Sequence, residues 1–535
     1  MTPIENQGKL TTSIKNRMTQ RYKFCILAAG RGTRNTSVAG LHKALLPIEN
    51  KSVISHIISK VPLGVEIVIA VGYKSSQLIS FLSCVFPKRN INYVHVGNYQ
   101  GPGSGPGFSL LQCKDVLQCP FIFTSVDTIV EEEFIFDRLT ENWIGVSPVT
   151  SEESSKYCLV KGGEYLESLY YGKGNSAYIG MAGVYDYESY WSSLDIYKSE
   201  NDEHQVTSGF RNLRDIKMIN LTWHDTGNNA SYEKTRKHFS NEIVATKNRE
   251  ALYVEGGKVI KYFDDSKRAT MRIQRTEFLS NSCPKVKQIN KNMYCYEYVS
   301  GQLLSNILDD SVLKSVLDFY KQKFISSFYQ KTDGFLNDCQ KMYYEKTLQR
   351  IEYFAESEID KIQFINGVET EPIKELIKKV DWGMIYHNST PSLFHGDFQP
   401  ENIIHDGDSF KLIDWRESFG DSIVVGDLYY DLGKLYHALL INGQSVLAKE
   451  YGYSINENSA FLQYKVKSNL LYMLNYFEHF CNENDLDWDN VVLLGILQYI
   501  GISSLYEDFH EGEYGRFLFL LGKYLLTKKV KRVII

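Results

Sequence analysis

Three residues in the C-terminal half have the types and spacing needed to move a phosphoryl group. Asp397 and Asn402 lie in the segment 395–402, which reads HGDFQPEN, and Asp414 follows in the segment 413–415, IDW. An aspartate can orient or deprotonate a hydroxyl group, and an asparagine with a second aspartate can hold Mg²⁺ against a triphosphate. The pattern therefore predicts a kinase-type site, with Asp397 as catalytic base and Asn402 and Asp414 as Mg²⁺ ligands.

A second phosphate-binding pattern lies near the other end of the chain. Residues 27–34 read LAAGRGTR, and residues 43–47 read KALLP. A hydrophobic strand that runs into two glycines presents bare backbone N–H groups to a triphosphate. We expect Arg34 to neutralise the leaving phosphates and Lys43 to meet the phosphate under attack. The predicted nucleotide-binding residues of this loop are Leu27, Ala28, Ala29, Gly30, Gly32 and Thr33.

Composition limits the classes of protein that the chain can be. A chain of 535 residues is long enough for two domains, and 43% hydrophobic with 23% charged residues is typical of a soluble globular protein. A net charge of −5 gives no reason to expect a nucleic-acid partner. The nine cysteines include no Cys-x-x-Cys pair, so neither a disulfide framework nor a zinc site is indicated.

The first twenty residues are polar, and no stretch reaches the roughly 18 apolar residues of a membrane span. We therefore expect no secretory signal, no membrane insertion and a cytoplasmic location. Assembly into a homo-oligomer stays open.

The order of hydrophobic segments predicts two domains of different build. Strand-like and helix-like segments alternate over 21–240, which favours a parallel α/β sheet whose ligands bind at the carboxyl ends of the strands. Residues 241–535 begin with a predicted hairpin and become mainly helical after Gly301, as in a small β lobe followed by a larger helical lobe. A polar tail, 1–20, precedes both domains, and a short connection near 236–246 joins them. The predicted strands are 24–27, 66–71, 92–96, 121–124, 251–254 and Lys258–Phe263, and the predicted helices are 53–60 and 74–86.

The complete N-terminal pattern, with its Lys-x-Leu-x-Pro extension, resembles the sugar-nucleotidyltransferase family. This family includes sugar-1-phosphate nucleotidylyltransferases and phosphocholine cytidylyltransferases. The resemblance implies a Rossmann-like fold and two Mg²⁺-binding aspartates, Asp127 at the end of the strand 121–127 and Asp225 in the segment 223–228, WHDTGN. Two carboxylates can hold Mg²⁺ against an α-phosphate. The alternative is that both aspartates only cap turns.

The acceptor side of this site carries a weaker signal. The segment 101–110, GPGSGPGFSL, lies where relatives contact the base or the acceptor, so Ser109 is a candidate substrate-binding residue. Its Gly-Pro content departs from the common sugar-enzyme pattern and leaves the nucleobase and the acceptor open. Lys173 lies where relatives place a residue on the acceptor phosphate, although a surface lysine in a turn fits the sequence as well.

The C-terminal half resembles the aminoglycoside phosphotransferase and choline kinase family, which has a protein-kinase-like fold. The resemblance implies that Lys261 reaches the α- and β-phosphates and that Glu277 holds this lysine. Glu297 and Tyr298 belong to the segment that would join the lobes and meet adenine. For Lys261 and Glu277 the alternative is an ordinary solvent-exposed position.

Other residues of this half receive supporting roles. We expect His395 to brace the catalytic loop, and Asp427 and Asp431 to be structural. An aromatic cage for a cationic substrate is a further possibility, against the alternative that its members are core residues. The cage would consist of Trp382, Trp415, Tyr429, Tyr430 and Tyr476.

Two nucleotide-dependent sites in one chain suggest consecutive reactions. A kinase would phosphorylate a small alcohol with ATP, and a nucleotidyltransferase would couple that phosphate to an NTP with release of pyrophosphate, both with Mg²⁺. CTP and an amino alcohol such as choline or ethanolamine are favoured, giving a CDP-linked precursor for a cell-surface glycan in capsule or lipopolysaccharide synthesis. The alternatives are a sugar or polyol acceptor that gives an NDP-sugar, and a chain in which one domain only binds a nucleotide as a regulator.

Overall fold

The computed structural model describes residues 22–196, 204–239, 248–327, 329–506 and 509–531. The predicted polar tail and most of the predicted connection lie outside these residues. The described chain forms two compact units, the first up to residue 239 together with 248–256, and the second from 257 onward.

The first unit contains fourteen strands in its described part. They are β1 (Lys23–Ala28), β2 (Pro47–Ile48), β3 (Lys51–Ser52), β4 (Ile67–Val71), β5 (Ile91–His95), β6 (Phe121–Ser125), β7 (Thr128–Val130), β8 (Trp143–Pro148), β9 (Leu159–Gly162), β10 (Leu166–Tyr170), β11 (Ser176–Val184), β12 (Lys217–Asn220), β13 (Trp223–Asp225) and β14 (Glu250–Glu255). Its α-helices are Val53–Ile58, Ser75–Val85, Pro106–Leu111, Tyr187–Ile196 and Asn229–Phe239. Short 3₁₀ helices lie at Lys43–Leu45, Lys114–Val116, Phe134–Phe136, Ser154–Lys156 and Val206–Asn212.

A parallel sheet centred on β1 organises this unit. Strand β1 pairs in parallel with β4 and β6, and β4 pairs in parallel with β5. The antiparallel strand β11 extends the sheet beyond β6. Residues Phe24 to Ala28 are buried because helices and loops cover both faces, which explains the uninterrupted apolar segment in the sequence. The predicted α/β class with a parallel sheet is confirmed.

Strand β14 makes hydrogen bonds to residues of the first unit. The amide of Val254 donates to the carbonyl of Asn50 (2.7 Å), the hydroxyl of Tyr253 donates to the carbonyl of Leu45 (2.5 Å), and the amide of Ser52 donates to Glu255 Oε1 (2.5 Å). The division between the units therefore falls in the Gly256-Gly257 turn, later than the predicted boundary at 240. The sequence pattern predicts the hairpin, but it contains no signal for the residues of the first unit that β14 contacts.

The second unit begins with three antiparallel strands in the order β15–β17–β16 and is otherwise mainly helical. Its strands are β15 (Lys258–Phe263), β16 (Val286–Asn290), β17 (Met293–Glu297), β18 (Gln302–Leu303), β19 (Phe364–Ile365), β20 (Val368–Glu369), β21 (Pro391–Ser392), β22 (Ile403–His405), β23 (Phe410–Leu412), β24 (Gly426–Asp427), β25 (Tyr451–Asn456) and β26 (Ser459–Tyr464). Its α-helices are Ser266–Leu279, Leu304–Ile307, Asp310–Tyr320, Asp333–Gln340, Lys346–Ile351, Ile373–Lys378, Trp382–Asn388, Leu428–Leu440, Gly443–Leu447, Leu470–Glu483, Trp488–Ser503 and Glu513–Val530. The π-helical turn Lys321–Ile325 continues helix Asp310–Tyr320, and the π-helical turn Lys341–Glu345 joins helices Asp333–Gln340 and Lys346–Ile351. Turns of 3₁₀ helix lie at Ser280–Ser282, Pro400–Asn402, Ser504–Tyr506 and Phe509–Gly512.

This order agrees with the predicted small β lobe followed by a helical lobe. Strands β22 and β23 form a hairpin that separates the HGDFQPEN segment from Asp414. The hairpin of β25 and β26, which is joined by β19, lies in a part that was expected to be helical. Buried and more exposed residues alternate along β26, but one exposed position is the apolar Phe461, so the alternation is not evident from the sequence.

Helix Trp488–Ser503 forms the centre of the helical lobe. Asp487 caps its first turn, and the helix packs against Leu428–Leu440 and Glu513–Val530. Gly433 and Gly495 allow a close approach, since a Cβ on Gly433 would lie 3.1 Å from the amide nitrogen of Gly495. Within the described part of the chain, only the segment 488–506 is long and apolar enough to cross a membrane, and 61% of it is buried inside the unit. This burial is typical of the core helix of a folded unit.

Candidate active sites

The first candidate site lies where β1 and β6 end. Lys43 Nζ donates to Asp127 Oδ2 over 3.0 Å, and each side chain is 18% exposed. Burial on its own would raise the pKa of Asp127, but the charges of Lys43 and Arg34 lower this pKa below its ordinary value. Asp127 is therefore held ionised, as a metal ligand must be.

His42 fixes the turn that carries Lys43. Its Nε2 donates to the carbonyl of Ala28 (3.1 Å) at the end of β1, and its Nδ1 accepts from the amide of Ala44 (3.1 Å). Burial lowers the pKa of His42 to about 3, so the ring stays neutral and can make both contacts. Sequence reasoning did not find this role, because it depends on the approach of the turn to β1.

Asp225 reaches the same site from a neighbouring strand pair. Strand β13 pairs with β7 so that Asp225 lies opposite Thr128, next to Asp127. Its Oδ1 accepts from the amide of Gly227 (2.8 Å), and its Oδ2 accepts from the hydroxyl of Tyr157 (3.2 Å).

Gly227 keeps the space between the two carboxylates open. A Cβ at this position would lie 3.0 Å from Asp225 Oδ1 and 3.4 Å from Asp127 Oδ2. Two carboxylates around a space of this kind form the oxygen donor set that Mg²⁺ prefers. Asp127 and Asp225 therefore fit a divalent cation, although sequence reasoning did not assign a role to Gly227.

The predicted nucleotide-binding loop divides into a buried and an exposed part. Leu27, Ala28 and Ala29 are buried, whereas Thr33 and Arg34 are exposed. Gly32 has a positive φ of 64°, and a Cβ there would lie 2.8 Å from Lys43 Cδ. Of the predicted nucleotide contacts, only those from Gly30 onward thus lie at the surface.

The two predicted acceptor residues occupy different environments. Ser109 is buried in helix Pro106–Leu111, where its hydroxyl donates to the carbonyl of Gly105 (3.1 Å). Lys173 is exposed in the turn between β10 and β11. Their roles toward a substrate stay predictions.

The second candidate site is centred on Asp397. Its Oδ2 accepts from Asn402 Nδ2 (2.9 Å), and its Oδ1 lies 3.1 Å from Lys434 Nζ. Burial would raise the pKa of Asp397, but the charge of Lys434 lowers it below its ordinary value. The same pair raises the pKa of Lys434 despite its burial. Asp397 is therefore ionised and able to orient or accept the proton of a hydroxyl group.

Sequence reasoning missed Lys434. It lies in helix Leu428–Leu440, outside the HGDFQPEN motif, and contacts Asp397 only because this helix packs against the catalytic loop. Lys434 follows the buried Asp431 by one helical turn, and this spacing is the sequence signal that could have indicated its position.

Asp414 forms ion pairs with two cationic side chains. Its Oδ1 lies 2.6 Å from Lys261 Nζ and 2.6 Å from Arg272 Nη1, and Arg272 also contacts Glu417 at 3.2 Å. Asp414 has a positive φ of 57°, an uncommon conformation for a non-glycine residue and one that clusters at functional sites. Asn402 and Asp414 offer the oxygen ligands that suit Mg²⁺.

The predicted pair between Lys261 and Glu277 is not formed in the described structure. Lys261 pairs with Asp414, and Glu277 is exposed on helix Ser266–Leu279. The residue of this helix that faces Asp414 is Arg272, roughly one and a half turns before Glu277. The physical reason is the helical period, which places positions 272 and 277 on different faces.

Glu277 and Tyr298 instead line a cavity at the end of this helix, together with Lys285 and Lys411. Glu297 and Tyr298 are exposed, and the amide of Tyr298 donates to the carbonyl of Gly257 (2.8 Å). Their expected contact with adenine stays a prediction.

The supporting residues of the catalytic loop behave as predicted. His395 Nε2 donates to the carbonyl of Ile413 (3.0 Å), so His395 braces the loop. Asp431 accepts from the amides of His395 (2.6 Å) and Gly396 (2.7 Å). Asp427 accepts from the hydroxyl of Tyr343 (2.6 Å). All three are buried and structural.

The five aromatic residues of the predicted cage do not surround a common space. Trp415 is fully buried and donates to the carbonyl of Arg272 (2.8 Å), Trp382 packs against Tyr344, and the hydroxyl of Tyr429 accepts from the amide of Asp487 (2.8 Å). The cage is not formed, and the alternative of core residues holds for Trp415, Tyr429 and Tyr430, which are buried. The two others have different surroundings: Tyr430 is buried among cations, and Tyr476 is partly buried.

Comparison with known proteins finds one family model and several relatives that each match part of the chain. Residues 355–455 match the model of the phosphotransferase enzyme family. The bifunctional protein GlmU of Methanococcus maripaludis strain C5 is 26% identical over 235 residues, which are 41% of this chain and 55% of that relative. The chain thus spans about half the length of the curated relatives it matches.

Solved structures with similarity to the chain include the CTP:phosphocholine cytidylyltransferase LicC of Streptococcus pneumoniae. It is 19% identical, with a TM-score of 0.37, over 41% of this chain and 100% of the other. HddC of Yersinia pseudotuberculosis is 20% identical, with a TM-score of 0.32, over 41% of this chain and 100% of the other. The chain is thus similar in one part to the phosphotransferase enzyme family and in part to the bifunctional protein GlmU.

Proposed function

We propose that the second unit phosphorylates the hydroxyl group of a small alcohol with ATP, and that the first unit couples the new phosphate to a nucleotide. The observation that carries this proposal is the occurrence, in each unit, of a lysine paired with a carboxylate beside further groups that fit Mg²⁺. These pairs are Lys43 with Asp127 and Lys261 with Asp414.

In the kinase step, Asp397 orients the acceptor hydroxyl and accepts its proton as the oxygen attacks the γ-phosphorus of ATP. ADP leaves with the electrons of the broken P–O bond. Lys261 contacts the phosphates, and Mg²⁺ held by Asn402 and Asp414 would neutralise their charge.

In the nucleotidyl step, a phosphate oxygen of the acceptor attacks the α-phosphorus of an NTP, and pyrophosphate leaves. Lys43 contacts the reacting phosphate, and Arg34 contacts the leaving phosphates. Mg²⁺ held by Asp127 and Asp225 would stabilise charge on the α-phosphate. The glycine positions of the loop allow the backbone to approach the triphosphate.

The charges around Asp397 argue against a cationic amino alcohol such as choline. The aromatic cage is not formed, and the side chain nearest to Asp397 Oδ1 is the cation Lys434. We therefore propose an acceptor of the sugar or polyol class rather than the amino alcohol expected from the sequence. The product would be an NDP-activated precursor for a cell-surface glycan.

CTP remains the first nucleotide to test, since the Gly-Pro segment 101–110 departs from the pattern of common sugar enzymes. The test is an end-point assay by mass spectrometry with purified protein, Mg²⁺, ATP and each of four NTPs. Polyols, sugars, sugar acids and amino alcohols serve as acceptors. An NDP-linked polyol or sugar supports the proposal, whereas an NDP-linked choline or ethanolamine would restore the amino-alcohol alternative.

A further inference from the structure

A group of cations surrounds the phenol of Tyr430 beside the candidate kinase site. We call this group the Tyr430 cluster; it consists of Tyr430, Lys346, Arg350, Arg416 and Lys434. Arg416 Nη1 lies 3.5 Å from the Tyr430 hydroxyl, and Lys346 Nζ lies 5.8 Å from the centre of its ring. Lys434 connects the cluster to the site, since its Nζ lies 3.1 Å from Asp397 Oδ1.

Three of these cations have no carboxylate partner in the described part of the chain. Arg350 Nη1 donates to the carbonyl of Gly501 (2.6 Å), and Arg416 Nε donates to the carbonyl of Ser418 (3.0 Å). Within the described ranges, no carboxylate oxygen lies within 4.0 Å of Lys346, Arg350 or Arg416. Only Lys434 is neutralised, by Asp397.

The charges of this cluster shift the pKa values of its own members. Burial would raise the pKa of Tyr430, but Lys346, Arg416 and Lys434 lower it to about 7. Burial lowers the pKa of Lys346 to about 8; nearby Tyr430 opposes this shift, and repulsion by Arg416, Arg350 and Lys434 adds to it. A strongly positive environment of this kind attracts an anion.

A small cleft of about 20 Å³ lies beside three members of the cluster. Lys346, Arg350 and Tyr430 line it together with Thr347, Gln498 and Gly501. The cleft therefore combines two cations with neutral groups that can donate hydrogen bonds, as an oxyanion site requires.

Gly396 contributes to the position of Arg416. A Cβ at Gly396 would lie 2.4 Å from Arg416 Cβ, so the glycine leaves room for this side chain next to the catalytic loop. The loop that carries Asp397 is thereby shaped to keep a guanidinium group close to Tyr430.

We propose that the Tyr430 cluster binds an anionic group of the acceptor, a carboxylate or a phosphate monoester, so that the acceptor is a negatively charged alcohol. This inference rests on the proposed kinase function. Lys346 and Arg350 hold the oxyanion, and Lys434 and Asp397 face the hydroxyl that is phosphorylated. Arginine can bind such a group through two parallel hydrogen bonds, and a quaternary ammonium group would be repelled.

The test measures ATP-dependent phosphorylation by the full chain with matched acceptors. Glycerate and glycerol phosphate serve as anionic alcohols, glycerol as a neutral alcohol and choline as a cationic alcohol. We expect kcat/KM to be highest for an anionic alcohol. Preference for choline, or equal use of neutral and anionic alcohols, would overturn the proposal.

Variants distinguish a binding role from a structural one. Lys346→Met and Arg350→Met should each raise KM for the anionic acceptor about 10- to 100-fold and change kcat little, because each removes one charge-assisted contact. Lys341→Met is the matched control, since Lys341 is exposed and pairs with the exposed Asp421 (2.6 Å). A lowered Tm with unchanged KM in the two cluster variants would assign the cluster to stability and overturn the proposal.

A binding measurement keeps the inference testable without the natural acceptor. Sulfate should raise the Tm of the wild type in a saturable manner and do so much less in Lys346→Gln. Equal stabilisation of both proteins would contradict the proposed site. Failure of every alcohol to be phosphorylated, with saturable sulfate binding intact, would instead count against the proposed kinase function.

Discussion

The two candidate sites use the same pair of groups in differently built surroundings. Lys43 and Asp127 are 3.0 Å apart in the first unit, and Lys261 and Asp414 are 2.6 Å apart in the second. In the first site the second aspartate, Asp225, is held by a backbone amide and a neutral hydroxyl. In the second site the aspartates are held by charged side chains.

This difference determines how each site should respond to substitution. At the carboxyl ends of a sheet the backbone positions the carboxylates, so a single substitution should act locally. In the second unit Asp414 and Glu417 share Arg272, so removal of one charge leaves its partners uncompensated.

The largest expected effect is the loss of phosphorylation in Asp397→Asn. The amide cannot accept the hydroxyl proton, so kcat for ATP-dependent phosphorylation should fall about 10²- to 10⁴-fold. Nucleotidyl transfer to a supplied phosphorylated acceptor should be unchanged. Asp408→Asn, at an exposed position, is the matched control. Equal loss of both reactions in a folded variant would refute the two-site account.

Asp127→Asn should give the reverse pattern. Loss of one metal-binding carboxylate and of the partner of Lys43 should lower nucleotidyl transfer by about 10²-fold or more, while phosphorylation stays intact. Pyrophosphate release and ADP release are measured separately. Asp115→Asn, also exposed, serves as the control; a drop in ADP release in Asp127→Asn would contradict the separation of the sites.

Lys434→Met should affect the kinase rate and its pH dependence. Loss of the charge-assisted contact to Asp397 should lower kcat about 10- to 100-fold. Because Lys434 lowers the pKa of Asp397, its removal should raise this pKa and move the acidic limb of the kcat/KM profile to higher pH. A pH profile identical to the wild type would show that Lys434 does not act through Asp397.

Gly227→Ala should weaken Mg²⁺ use in the first site. The added methyl group would lie 3.0 Å from Asp225 Oδ1 and 3.4 Å from Asp127 Oδ2. We expect the Mg²⁺ concentration for half-maximal nucleotidyl transfer to rise about tenfold. Gly64→Ala is the control, since a Cβ there meets nothing within 4 Å. Unchanged Mg²⁺ dependence would place the metal elsewhere.

The smallest effect concerns acid stability, to which each unit contributes a buried neutral histidine. Burial lowers the pKa of both His42 and His437 to about 3. Below an ordinary pKa of about 6.5 the unfolded chain binds a proton that the folded chain does not, so stability falls as the pH decreases.

Urea unfolding at pH 7.0 and 5.5 measures this loss, which should be about 1 kcal/mol per histidine at the lower pH. His437→Asn should reduce the pH-dependent loss, and the exposed His479→Asn should not. An equal pH dependence in wild type and His437→Asn would exclude the buried histidine as the cause.

Local sequence patterns predicted part of each candidate site. Asp397, Asn402 and Asp414 lie in one short segment, and Asp127 follows a strand with a clear hydrophobic pattern, so local sequence was sufficient to propose them as site residues. Their roles stay predictions. The parallel sheet was predictable for the same reason.

The missed residues act across the tertiary structure. His42 depends on the end of β1, Lys434 on the packing of helix Leu428–Leu440, and Arg272 on the face of its helix that meets Asp414. The predicted pair of Lys261 and Glu277 is not formed, because the helical period places Glu277 on a different face of its helix from Arg272, which meets Asp414. The aromatic cage is not formed, and the core alternative holds for most of its buried members; composition alone gives no information about where rings point.

The most direct test of the account is complementation between two single-site variants. Wild type, Asp397→Asn, Asp127→Asn and an equimolar mixture of the two variants are each incubated with alcohol, ATP, NTP and Mg²⁺, and the NDP-linked product is quantified by mass spectrometry. The account predicts product from the wild type and from the mixture but not from either variant alone. Product from the wild type and none from the mixture, with both variants folded and each retaining its other partial reaction, would contradict two independent consecutive sites.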